Sequence, residues 1–263
     1  MPTLPRDPQT GLLAGRRPFK LTAIRGGKLS PKTVGRRKQI VPTTGFLLRI
    51  HKRGLDRKLQ ELREYAGALE GLLVEAGRQM KADLDASVVG VPEDGKAFLL
   101  DCPAADLSMF DDAFPRILRY SLFSHSVALL EFGLLDLAHI YERALGLKLS
   151  KHELRDKGIT RAKTYLQKVP GAPFPETSVY WNSILALNAI RNLVVHNNGL
   201  YRKDQRCRDK IDRLMEQWNG LIFVDDVGRF QLSAGFVEKA LNTTTAFLKE
   251  LFANLERVSE FRL

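Results

Sequence analysis

The stretch SVYWNSILALNAIRNLVVHNNG, residues 178–199, decides how the rest of the chain is read. Residues 181–190 carry no formal charge, and the run closes on Asn197-Asn198-Gly199. Thr177 or Ser178 supplies an N-cap and Gly199 a stop, so the spacing predicts a helix from about Ser178 to Asn197. Its apolar residues lie on most sides, which places it centrally in a bundle. At about 100° per residue, Asn188, Asn192 and His196 fall within one wedge, and Arg191 flanks it. Arg191 and His196 stand about 140° apart, so only a long side chain and a loosening last turn bring them to one cleft. A plain structural reading also exists, because a cation in a last turn answers the negative end of the helix.

Working outward, residues 52–86 repeat Leu55, Leu59, Leu62, Ala66, Leu69, Leu73 and Ala76 at helical spacing. Residues 107–145 predict a second long helix, with Pro115 near its start and Gly146 as its stop. Between Ser121 and Ile140 the formal charges are Glu131 and Asp136, so this helix is also central. A buried pair between Glu131 and Arg191 would satisfy two groups that otherwise cost about 1–3 kcal/mol each. Val88–Val91 and Ala97–Leu100 bracket a turn-like sequence and suit a small hairpin or an irregular excursion. Beyond Gly146 the pattern predicts a short helix from Thr160 to Val169, ended by Pro170-Gly171-Ala172-Pro173. A charged amphipathic helix follows from Arg202 to Trp218, with Cys207, Ile211, Leu214, Met215 and Trp218 on one side. Leu221–Val224 and Arg229–Leu232 then form a hairpin around Asp225-Asp226-Val227-Gly228, and Ser233 caps a last helix.

The net charge of +11 is concentrated in one region. Residues 1–60 hold 15 Lys and Arg against two Asp, whereas the remaining residues hold 26 basic against 28 acidic side chains. Residues 1–45, with Arg36 and Arg37 among their cations, are too poor in apolar surface to order themselves and read as a disordered basic arm. Such an arm suits either phosphate backbones or plain solubility. Cys102 and Cys207 share no metal-ligand spacing and read as two free packing thiols, so no metal site is expected. His51 and His152 read as surface residues, and His125 and His139 as satisfied core or interface histidines. No secretory signal or uninterrupted membrane span is visible, which suggests a cytoplasmic protein with no membrane partner. The expected organisation is a basic arm at 1–45, an N-terminal helix and hairpin or irregular extension at 46–106, and a helical domain at 107–263.

The motif Arg191-Asn192-Leu193-Val194-Val195-His196-Asn197-Asn198-Gly199 resembles that of the HEPN superfamily, in which an Arg, a polar residue and a later His end a helix. Lys157-Gly158-Ile159-Thr160-Arg161-Ala162-Lys163-Thr164-Tyr165-Leu166 is similar to the connector of one bacterial branch, as are Trp181 and the terminal hairpin and helix. The likeness covers about residues 107–260 and implies an all-α, HEPN-type bundle with a small β-hairpin.

The resemblance implies a metal-independent endoribonuclease without cofactors, acting as a homodimer through facing motif helices. His196 would move protons during attack by the ribose 2′-hydroxyl, a task suited to an imidazole. Arg191 would hold the scissile phosphate, and Asn192 would position substrate or His196. Glu131, Asn188 and Asn197 would support them. Lys157 and Arg161 would guide RNA, or simply form part of a solvated face. The family suggests a toxin or phage-defence effector, with an antitoxin or other protein as partner. It also contains non-catalytic modules that bind RNA, a nucleotide or a protein, and both readings stand at this point.

Overall fold

The hydrophobic pattern of the chain closes into a mostly helical bundle, seen in a computed structural model that describes residues 44–92, 108–201 and 207–260. Six α-helices and one two-stranded antiparallel sheet make up the regular structure of these residues. Helix α1 spans Thr44–Ser87. A five-residue π-helix, Met109–Ala113, leads into α2, Phe114–Ala144, with Pro115 in the first turn where no backbone donor is lost. A capped 3₁₀ turn, Lys151–Glu153, precedes α3, Gly158–Lys168. Helix α4 is Val179–Asn197 and α5 is Arg208–Gln217. Strands β1, Ile222–Val224, and β2, Phe230–Leu232, precede α6, Ala234–Glu260.

Helix α2 is the axis, packed against α1, α3, α4 and α6. It is long and apolar enough to cross a membrane by length and composition, but half of that apolar window is buried within the bundle. Leu130, Leu134, Leu137 and Ala138 show why it is central: each is at most 2% exposed. Segment 46–106, expected as an extension, supplies Leu48, Leu55, Leu59, Leu62 and Ala66 to the same core. Beyond Ala66 the apolar stripe of α1 is only partly covered, with Leu69 and Leu73 half-buried and Leu72 and Ala76 exposed. Arg119 of α2 ties three elements together. Its Nε and Nη2 donate to Glu70 of α1 at 2.7 and 2.9 Å, and its Nη1 donates to the Leu232 carbonyl at 2.8 Å.

Trp181, opening α4, is a packing residue. Its ring meets Phe174 edge-on at 4.8 Å and Phe247 at 5.3 Å. The hairpin forms where expected, pairing Ile222 with Leu232 and Val224 with Phe230. The Asp225 carboxylate organises its turn by accepting from the backbone of Val227 and Arg229.

Several expectations need correction. Ser233 does precede α6, yet its buried hydroxyl finds no partner, so no side-chain cap forms. Helix α5 starts at Arg208, and Cys207 lies before it, exposed, at φ +73°. It is therefore not a packing thiol, because the apolar face of α5 begins with Ile211. His125 is exposed and His139 is nearly half exposed, so neither is a core histidine. Most of the basic arm with Arg36 and Arg37, the Ala97–Leu100 half of the first hairpin, Cys102 and the first turns of the helix expected from Arg202 lie outside the described residues.

His51 was expected on the surface, but its side chain is only 8% exposed. Its Nε2 lies 2.9 Å from the Gly133 carbonyl and its Nδ1 lies 3.0 Å from Asp136. Burial pushes the imidazole below its ordinary value; the Gly133 carbonyl and Asp136 oppose this without reversing it, and Lys58 adds to the lowering. The unfolded chain therefore binds the extra proton more readily. This contribution to stability is fully present above about pH 6.5, the free-imidazole value, and fades as pH falls towards the folded value. In urea titrations, the unfolding free energy of wild type minus that of His51→Gln should shrink between pH 7.5 and pH 5. A difference independent of pH would show that His51 titrates alike in both states.

Candidate nucleic-acid interface at the end of α4

The close of α4 is fixed by its last residues. Asn198 adopts the left-handed region at φ 50°, and its N–H and that of Gly199 both turn back to the Leu193 carbonyl. Gly199 follows at φ +76°, where a Cβ would fall 2.1 Å from the Tyr120 hydroxyl. The Tyr120 hydroxyl donates to the Phe230 carbonyl, and burial pushes it up to about 12, keeping it a donor. The Gly199 carbonyl accepts from Phe230, and the Tyr201 N–H donates to Gly228. The end of α4 is thus held between α2 and the hairpin.

On this scaffold the motif side chains divide into two groups. Arg191 points back towards α2, where its Nη2 donates to Glu131 at 2.8 Å. The pair expected from the sequence forms, but it is partly rather than fully buried, at 19% and 27% side-chain exposure. The Arg191 Nη1 donates to the Asn192 Oδ1 at 3.1 Å, while its buried Nε finds no partner. Glu131 also lies against the first residue of α3. Gly158 stands at φ +58°, with the carboxylate 3.4 Å from where its Cβ would be. The connector therefore closes over Glu131, and three helices meet at one ion pair.

The second group faces solvent. Asn192, His196 and Asn197 are exposed and Asn188 is half-buried. Asn188, Asn192 and His196 follow one another at four-residue intervals, so they line one outward stripe. Val195, 53% exposed, lies beside them. The side chains of Asn188, His196 and Asn197 make no hydrogen bond or ion pair with another described residue. Arg191 and His196 do not converge directly; Asn192 links the inner pair to the outer stripe. Lys157 is exposed beside this region. Arg161 differs, because its Nε donates to the Asp156 carbonyl at 2.5 Å and so braces the connector from within. Nothing in the local pattern marks that role, since it depends on how α3 folds back on residue 156.

Comparison of the chain with protein-family models, curated proteins and solved structures returns no match in any of the three. The functional reading therefore rests on these side chains.

Two stability measurements follow from this geometry. Gly199→Ala should lose about 3 kcal/mol, from left-handed strain and displacement of Tyr120. Loss below about 0.5 kcal/mol would mean that the α4 end is free to shift. In a double-mutant cycle, Glu131→Ala and Arg191→Ala should couple by about 1–2 kcal/mol. Strict additivity in urea unfolding would show that the pair contributes nothing.

Proposed function

We propose that this chain is a HEPN-type, metal-independent endoribonuclease that works as a homodimer through its α4 helices. The observation that carries the reading is the arrangement around Arg191. Glu131 and Asn192 hold its guanidinium, while Asn192 and His196 present polar groups to solvent on successive turns. In this reading the free edge of the guanidinium takes a scissile phosphate and stabilises its developing charge. His196, whose side chain has no partner among the described residues, accepts the proton of the ribose 2′-hydroxyl as that oxygen attacks phosphorus. The P–O5′ bond breaks as the 2′-oxygen bonds to phosphorus, and the departing 5′-oxygen takes a proton from solvent, leaving a 2′,3′-cyclic phosphate and a 5′-hydroxyl end. The exposed Val195 beside the stripe supports facing α4 helices, because a second copy would cover it. RNA is the substrate, and a toxin or defence role in the cytoplasm, held in check by a protein partner, is the biological setting proposed.

One observation favours a second reading, a non-catalytic module that binds RNA, a nucleotide or a protein. Among the described residues the His196 side chain has no partner to orient it, and Glu131 already answers the charge of Arg191. The two readings separate in one experiment. Purified protein incubated with structured RNA in EDTA should release fragments ending in 2′,3′-cyclic phosphate, and should leave DNA of the same sequence intact. His196→Ala should slow cleavage about 10²–10⁴-fold while circular dichroism and Tm are retained. RNA binding without cleavage in the wild type would establish the module instead.

A further inference from the structure

The opposite end of α4 borders a cleft of about 540 Å³, built by the first turns of α4 together with α5 and α6. Its rim carries three cations, Lys210 and Arg213 from α5 and Lys239 from α6. All three are exposed, and none makes an ion pair with another described residue. Nor does any carboxylate among the described residues line the cleft. Of the acidic side chains on the same two helices, Asp212 is held by Tyr201 and Arg208, Glu238 by Arg63, and Glu250 by the hydroxyl of Ser178, while the exposed Asp209 and Glu216 of α5 lie outside the lining. Three like charges around one concavity repel each other and hold counterions, which a polyanion would release on binding. The positive end of the 19-residue α4 faces the same way, offset in part by the Glu250 carboxylate at its Ser178 cap.

The rest of the lining restricts what that anion is. The floor is apolar, with Leu214 and Trp218 only 2% and 5% exposed. Tyr180 stands on the wall with 41% of its surface open, a free aromatic face at the edge of a cationic rim. Asn182 and Gln217 supply amide donors and acceptors beside it. The volume lies within the range of small-molecule sites. Phosphate for the rim, a flat ring for Tyr180 and polar ring edges for the amides describe one chemical class.

We propose that this cleft binds a nucleotide, with its phosphates on Lys210, Arg213 and Lys239 and its base against Tyr180. The site is separate from the motif at the other end of α4 and does not depend on the ribonuclease reading.

Isothermal titration of the full chain with ATP, tripolyphosphate and adenosine tests the proposal. ATP should bind at one site per chain, adenosine alone at least tenfold more weakly. Lys210→Ala/Arg213→Ala should weaken ATP at least tenfold with unchanged Tm of the free protein, and Lys239→Ala, on a different helix, should weaken it independently. Tyr180→Ala should weaken ATP while sparing tripolyphosphate. The proposal is overturned if millimolar ATP does not bind, or if these substitutions leave its affinity unchanged. It is equally overturned if tripolyphosphate binds as tightly as ATP with no effect of Tyr180→Ala, which would mark a bare anion patch. A single-stranded RNA 12-mer that needs the same cations and is not displaced by ATP would also overturn it, in favour of an RNA track. RNA cleavage by the double variant, measured alongside, keeps this outcome distinct from that of the His196 experiment.

Discussion

A carboxylate on one greasy helix and a guanidinium on another lose much of their hydration when the two helices pack, and each is costly to leave alone. Glu131 on α2 and Arg191 on α4 resolve this by meeting at 2.8 Å. Removing one partner of such a pair usually costs more than the pair contributes, because the remaining charge is stranded. The contact therefore specifies how α2 and α4 are aligned more than it stabilises them. A shift of either helix by one residue would turn one of the two charges through about 100° and break the pair. The first residue of α3, Gly158, lies against the same carboxylate at φ +58°, a backbone in which an L side chain would be strained.

With the register of α4 set in this way, the direction of its remaining polar groups follows. Ile184, Leu187, Ile190 and Val194 occupy the buried side. Asn188, Asn192 and His196 are left facing outward, and no other described residue claims the imidazole. The helix end is then locked by Gly199 against Tyr120 and the hairpin, so the stripe is presented on a fixed support. Placing a reactive side chain on a rigid element gives it a defined direction without requiring it to be buried.

Much of this was legible in the sequence. The helix over residues 178–197, its Ser178 cap and its Gly199 stop follow from local patterns and stand within a residue of the structure. The hairpin around Asp225–Gly228 was equally local. Even the Glu131–Arg191 contact could be inferred, because two charges in apolar company have few ways of being satisfied. What escaped depended on tertiary neighbours. His51 lies among basic residues and looks exposed; only the approach of the Gly133 carbonyl and Asp136 buries it. Cys207 seemed part of an apolar helical face, but the chain reaches it in a left-handed conformation just before α5 begins. Lys239 lies 26 positions beyond Arg213, and no periodicity in the sequence brings them to one rim.

The two ends of α4 carry different chemistry for a reason rooted in the helix itself. Its first turn, capped at the Tyr180 N–H by Ser178, presents the positive dipole end, and the cations of the neighbouring α5 and α6 complete a field that favours anions. Its last turn offers carbonyls and the opposite dipole, and there His196 remains outside, while in the turn before it Arg191 is drawn inward to Glu131. Asn182 and His196 are 14 residues apart, about 21 Å along the axis. A single mononucleotide cannot touch both, whereas an extended strand of several nucleotides can. Occupancy of the cleft and engagement of the stripe are therefore separable events for a small ligand, connected only through a helix whose rotation is already fixed by one ion pair.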